Sequence, residues 1–178
     1  MEMPSTTPVF FRCKNEGDRG PPISVEWAYA SPDHMEIVSA AHLVKPPPEW
    51  RSQIDDDEAA ACLRGVSLAE LTRHGEEPSW IAERMNRVLN GRELFSHAPH
   101  DGDLLRRLFD AADAQPEFEL HTIWASTLLA ELARLKRMKK RVFEALKRKA
   151  QLRTPIYWPS VALPQMDAIL WADIADPA

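Results

Sequence analysis

Cysteine is nearly absent: Cys13 and Cys62 are the only two in 178 residues, too few and too far apart for a disulfide framework or a cysteine-built zinc site. Reduced thiols in a cytoplasmic protein are the simplest reading. No apolar run approaches the roughly 20 residues needed to cross a bilayer, and the opening MEMPSTTP has neither the basic start nor the apolar core of a secretory signal. A chain without a membrane partner is expected. Net basic charge is missing too. Lys and Arg total 22 against 27 Asp and Glu, giving −5, which argues against a general binder of polyanions. What remains is an ordinary globular composition, 44% hydrophobic and 28% charged. A chain of this length buries about 70% of its unfolded surface as one domain. Residues 1–7 read as a tail and 8–178 as that domain.

The average charge conceals an asymmetry. Ten basic residues and one acid, Glu144, stand between Arg134 and Arg153, so that segment carries +9 and the rest of the chain −14. Clustered Lys and Arg bind phosphates by releasing condensed counterions, which makes Lys136, Lys139, Lys140, Lys147 and Arg148 candidate nucleic-acid-binding residues. Alternatively the cluster is the solvated face of an amphipathic helix, or it meets the acidic body or another subunit. Trp124, Tyr157 and Trp158 flank it, placed either to stack on bases or to pack in the core.

Hydrophobic periodicity places the elements. Pro8 to Phe11 is a short apolar run, and Ile23 to Ala30 alternates as a strand with one solvated face does, with turn-forming NEGDRGPP between them. A third strand runs from Glu36 to Val44 and stops at Pro46-Pro47-Pro48, which lack N–H donors. Three strands with short links predict an antiparallel meander. From Asp55 the period turns helical, with an acidic start over 55–58 and Ser67 capping a segment over 68–73. Ser79 caps a helix bearing Trp80, Ile81, Met85, Val88 and Leu89, closed by Gly91. Glu93 to Ser96 is a very short strand, and a helix with Leu104, Leu105, Leu108 and Phe109 follows. His121 to about Lys149 reads as one long helix, because Leu128, Leu132, Leu135, Met138, Val142 and Leu146 recur at helical steps without Gly or Pro. A last helix spans about Gln165 to Ile174. The class is α/β, a mixed sheet flanked by helices.

Taken in that order, VFF (Val9 to Phe11), ISVEWAYA (Ile23 to Ala30), HLVKPPPEW (His42 to Trp50), RGVSLAEL (Arg64 to Leu71) and LFSHAPHDGDLLRRLFDAA (Leu94 to Ala112) resemble the DEDDh branch of the DnaQ-like 3'-to-5' exonucleases. The resemblance runs from Val9 to about Ile174. It implies an RNase H-like, exonuclease-type fold: a mixed five-stranded sheet, first three strands antiparallel, flanked by helices. It also implies two divalent metal ions held by four acidic side chains, with a histidine as general base near the last acid. Two cations about 4 Å apart stabilise the attacking and leaving oxygens of a phosphodiester. At the matching positions this chain departs from the family. Arg12 and Lys14 stand where the first strand carries Asp-x-Glu, and Ala162 stands at the general base. Asp101 matches the third acid and Asp167, followed by Ala168, the last. Arg64-Gly65-Val66 replaces a His-Gly-Ile-like motif. A register two residues along places Glu16 at the glutamate and Lys14 at the aspartate.

Two retained carboxylates, two cations and no histidine imply a degenerate exonuclease-like domain, without a metal cofactor, that binds nucleic acid or a protein partner. Two alternatives stay open. One is an active magnesium- or manganese-dependent 3'-to-5' exonuclease on single-stranded DNA or RNA, with Glu16, Glu26, His97 or His100 as substitute ligands. The other is a structural homodimer or hetero-complex pairing through the long basic helix. In the first reading Arg12 or Lys14 forms an ion pair with Asp101 or Asp167. His97 and His100 around Asp101 have metal-ligand chemistry, whereas His34, His42, His74 and His121 lack ligand spacing and read as surface or capped residues. Cys13 falls on the strand face opposite Arg12 and Lys14 and reads as a buried, inert thiol.

Overall fold

The computed structural model describes residues 6–15, 20–33, 36–54, 66–153 and 162–175. Five strands make one mixed sheet: β1 (Val9–Asn15), β2 (Pro22–Ala30), β3 (Ile37–Leu43), β4 (Glu93–Ser96) and β5 (Glu119–His121), in the spatial order β3-β2-β1-β4-β5. The first three pair antiparallel, as the alternating runs and short links predict. β4 lies parallel to β1, and β5 parallel to β4. The described helices are α1 (Pro48–Arg51), α2 (Leu68–His74), α3 (Pro78–Leu89), α4 (Asp101–Ala111), α5 (Ala125–Leu135), α6 (Lys140–Arg153) and α7 (Ala162–Ala175).

The period of two along β1 sends side chains to two different cores. Val9, Phe11 and Cys13 join Val25, Trp27 and Tyr29 of β2 against Ile81, Met85 and Leu89 of α3 and Leu105, Leu108 and Phe109 of α4. Phe10, on the other face, joins Ala28 and Phe95 against α5 and α7. β2 therefore has no solvated face: all nine of its residues are buried, contrary to the expectation from its alternation. The face expected to be solvated is covered because Ser24, Ala28 and Ala30 are small enough to let a helix approach, while Glu26 finds a cation. α7 covers that face. It is apolar nearly all round, with Ala168, Ile169, Leu170, Trp171, Ala172 and Ile174 buried, as a helix sandwiched inside a fold must be.

Local chemistry fixes most boundaries. Ser67 and Glu70 form a reciprocal capping box at the head of α2, with Ser67 N–H donating to Glu70 Oε2 at 2.9 Å. α3 starts one residue before the expected Ser79 cap, at Pro78, whose missing N–H costs nothing in a first turn. Gly91 follows it at φ +66°, the left-handed position glycine accepts most readily. The acidic start over 55–58, Cys62, Arg64 and Gly65 lie outside the described residues, as do Glu16, His34, Tyr157 and Trp158.

The single helix expected over His121 to Lys149 is three elements. His121 ends β5, and the rest divides into α5 and α6. The break is a Schellman turn: Arg137 N–H donates to Arg134 O, Met138 N–H donates to Ala133 O, both at 2.9 Å, and Arg137 takes φ +52°. No Gly or Pro announces it. Packing accounts for it. Leu128, Leu129 and Leu132 of α5 bury beneath the sheet, whereas Met138 of the turn and Phe143 and Leu146 of α6 come onto the same core. A straight rod would leave the second group in solvent. The continuous leucine seam expected for pairing two copies is thereby divided, with Leu135 and Val142 its exposed remainder.

Candidate functional site

The ends of β1 and β4, the head of α4 and the first half of α7 converge where Arg12, Lys14, Glu26, His97, Asp101 and Asp167 stand. Arg12 and Lys14 share the α7 face of β1 with Phe10, and register sets Arg12 opposite Glu26 and Lys14 opposite Ser24. Cross-strand partners on one face lie about 5 Å apart. Lys14 Nζ reaches Glu26 Oε1 at 2.6 Å, and that carboxylate is only 1% exposed. Burial pushes Glu26 above the usual carboxylate range, and the positive charges of Lys14 and Arg12 pull it part of the way back.

Asp101 is the first residue of α4 and is buried. Its Oδ1 accepts from the Cys13 backbone N–H at 3.1 Å and its Oδ2 from that of Ala98 at 2.6 Å. One carboxylate thus ties β1 to the turn that leaves β4. His97 N–H, donating to Phe11 O at 3.1 Å, carries the same strand pairing one rung further. Burial raises the Asp101 carboxyl, against the lowering effect of its two N–H donors and of the Arg12 and His97 charges.

Asp167 projects from α7 and is buried; His97 Nδ1 donates to its Oδ2 at 3.0 Å. The imidazole is raised, first by that hydrogen bond, and Asp167 is raised by burial. Both shifts keep a proton within the pair. Ala162 is the first residue of α7, one turn before Asp167.

The expected ion pair between Arg12 or Lys14 and Asp101 or Asp167 is not formed. Lys14 takes Glu26, His97 takes Asp167, and both oxygens of Asp101 are held by main-chain donors. Among the described residues Arg12 has no ion pair, although its charge acts on Asp101, Glu26 and His97. The His100 side chain is exposed at the cap of α4 and has no partner among the described residues, so His97, His100 and Asp101 do not close into a metal-ligand set. Among the described residues the group that does bring ligand atoms within 4.8 Å of one another is Glu93, Glu119 and His121, on β4 and β5. Sequence spacing hides that group because its members meet only through the parallel pairing that sets Glu93 beside Glu119. His42 is buried rather than superficial, stacked on Trp27 at 4.9 Å and paired with Glu76. Cys13 is buried as expected, its thiol raised by that burial.

On the outer helices the basic residues divide. Lys136 Nζ donates to Ala175 O at 2.9 Å, Lys147 pairs with Glu144, and Lys149 and Arg153 pair with Asp173 of α7. Arg137, Lys139, Lys140, Arg141 and Arg148 are exposed and have no ion pair among the described residues. Trp124 is exposed at the head of α5, not packed in the core. No described helix is long and apolar enough to cross a membrane.

No family model matches this sequence, and no curated protein does. Solved structures match in fold. The zinc-bound form of Escherichia coli exonuclease I with single-stranded DNA superposes at TM-score 0.56 and 13% identity, over 96% of this chain and 39% of that one. Exonuclease X in complex with 5'-overhanging duplex DNA matches at 0.50 and 20% identity, over 94% of this chain and 90% of that one. A further exonuclease I structure gives 0.52 and 14%, over 96% and 40%. The chain thus spans about two fifths of the exonuclease I length and most of that of exonuclease X. The fold is of the exonuclease-like, RNase H type, as the order of sequence words implied.

Proposed function

We propose that this chain is a degenerate member of the DnaQ-like exonucleases that binds nucleic acid without hydrolysing it. The observation that carries the reading is how the charges of the site are already used. Lys14 neutralises Glu26, His97 neutralises Asp167, and Asp101 is committed to two main-chain N–H groups. Two divalent ions do not fit these residues. Both oxygens of Asp101 and one each of Glu26 and Asp167 are engaged, and Arg12 and Lys14 stand at the positions that match the missing acids. Even two unit charges 4 Å apart repel by about 4 kcal/mol at an effective dielectric of 20, and a divalent ion doubles that.

Binding is supported by the five exposed cations of the α5–α6 turn and α6, and by the nature of the fold neighbours, which were solved in complex with DNA. The rest of the chain carries −14, so it repels the same polyanion within a Debye length of about 8 Å. Binding is therefore expected to be weak, confined to that side and steeply salt-dependent.

The test is digestion of an end-labelled single strand of DNA or RNA with magnesium or manganese, run beside a binding titration in chelator. The expected result is no shortening together with retained binding. Charge reversal at Lys139, Lys140 and Arg148 then weakens binding and flattens its salt dependence. Metal-dependent shortening that Asp101→Asn abolishes would establish the active-enzyme reading instead.

A further inference from the structure

We infer that the Arg12 end of the sheet is a metal-independent seat for a phosphate group. The inference rests on the nucleic-acid reading only for where that phosphate comes from. Its basis is a surplus of donors. The Arg12 guanidinium offers five N–H groups and has no hydrogen bond or ion pair among the described residues. The neighbouring Lys14 ammonium spends one contact on Glu26 and keeps further N–H groups. Ser24, opposite Lys14 in the register and diagonal to Arg12, is 1% exposed, yet its hydroxyl has no hydrogen-bond partner among the described residues. A buried polar group is nearly always satisfied, so an orphaned hydroxyl beside two cations marks a place where something else supplies the acceptor.

The carboxylates nearby do not supply it. Glu26, Asp101 and Asp167 are engaged by Lys14, by main-chain N–H groups and by His97 respectively, which leaves Arg12 as the charge of this group without an ion-pair partner among the described residues. An occupant has to be anionic and carry several acceptor oxygens, enough for a guanidinium fork, an ammonium and a hydroxyl. A phosphate group meets all three, and a guanidinium holds it through paired N–H···O bonds. A carboxylate, with two oxygens, satisfies the fork alone. Protein cations here stand where the fold's relatives are implied to place metal ions, so the phosphate is held but no water is activated beside it.

Three sources share this chemistry: the end of a nucleic-acid strand, a free nucleotide and inorganic phosphate. The experiment titrates the full chain, in chelator, with inorganic phosphate, with thymidine monophosphate and with a short oligothymidylate. Arg12→Gln and Ser24→Ala are run alongside, with circular dichroism as the check on folding. Binding of at least one probe without divalent ion is expected, weakened about tenfold or more by Arg12→Gln and less by Ser24→Ala. Should Arg12→Gln fail to fold, Arg12→Lys replaces it, which keeps the charge but loses the fork, and the same loss is expected. Absence of binding in chelator for all three probes, or affinities unchanged by both folded variants, overturns the seat. If phosphate and the monophosphate bind through Arg12 but the oligothymidylate does not, the nucleic-acid reading fails and the seat stands. If the oligothymidylate responds to charge reversal on α6 and not to Arg12→Gln, the reading stands and the seat fails.

Discussion

Removing the Asp101 carboxylate separates a structural from a catalytic use of that side chain. In a four-carboxylate metal site, deleting one acid relieves repulsion, and the metal-free protein becomes more stable. Here Asp101→Ala strands the buried N–H of Cys13 and the part-buried N–H of Ala98, which now donate to its two oxygens. Each orphaned donor costs about 1–3 kcal/mol, and relief from burying the carboxylate returns part of that, leaving a net loss of about 2–4 kcal/mol. For a domain of 178 residues, 1 kcal/mol moves Tm by about 2–4 °C, so the melt falls by about 4–16 °C. Asp101→Asn keeps one acceptor oxygen and should lie between parent and alanine variant. The assay is thermal and urea unfolding in chelator, followed by far-ultraviolet circular dichroism. Stability within about 0.5 kcal/mol of the parent, or above it, would refute the tie.

The His97–Asp167 pair holds protons more tightly than the unfolded chain does, through their mutual hydrogen bond for His97 and through burial for Asp167. The histidine's share of this stabilisation is complete below the ordinary imidazole range and fades as pH rises through its raised folded value, so the stability gap between parent and His97→Gln narrows as pH rises above the ordinary imidazole range; a gap that widens there contradicts this. Lys14→Met strands Glu26, 1% exposed, and should cost about 3 kcal/mol in chemical denaturation, most of it recovered by adding Glu26→Gln. Additive losses in that double variant would show that the two side chains do not depend on each other. Arg137→Gly relieves the φ +52° residue and should stabilise by about 0.5–1 kcal/mol, whereas a loss would mean that the arginine side chain contributes more than its backbone strain removes.

What was legible in the sequence tracks what is decided locally. The meander, the Ser67 cap and the Gly91 stop rest on alternation and capping chemistry within a few residues, and all are present. The pairing of β5 and the break at Arg137 are set by partners distant in sequence. A three-residue strand has no period to detect, and the leucine stripe continues through the turn because both helices serve one core. In the site, Lys14, Asp101 and Asp167 lie near one end of the sheet, but they pair with Glu26, with main-chain N–H groups and with His97 rather than with one another. Glu26 reads from the sequence as a spare ligand, and its claim on Lys14 depends on β2 being covered on both faces. His97 reads as a metal ligand, and its claim on Asp167 depends on where α7 crosses the sheet.

β1 and β4 pair over only three residues, Val9 to Phe11 with Leu94 to Ser96. Beyond that the ladder is continued by His97 N–H and then by the Asp101 side chain, which acts as a rung after the strand itself has turned away. The carboxylate at the head of this helix therefore closes the sheet whether or not it takes part in chemistry, and its presence alone says little about turnover. The side chains of Arg12 and Lys14, which make no main-chain bond among the described residues, carry no such structural duty.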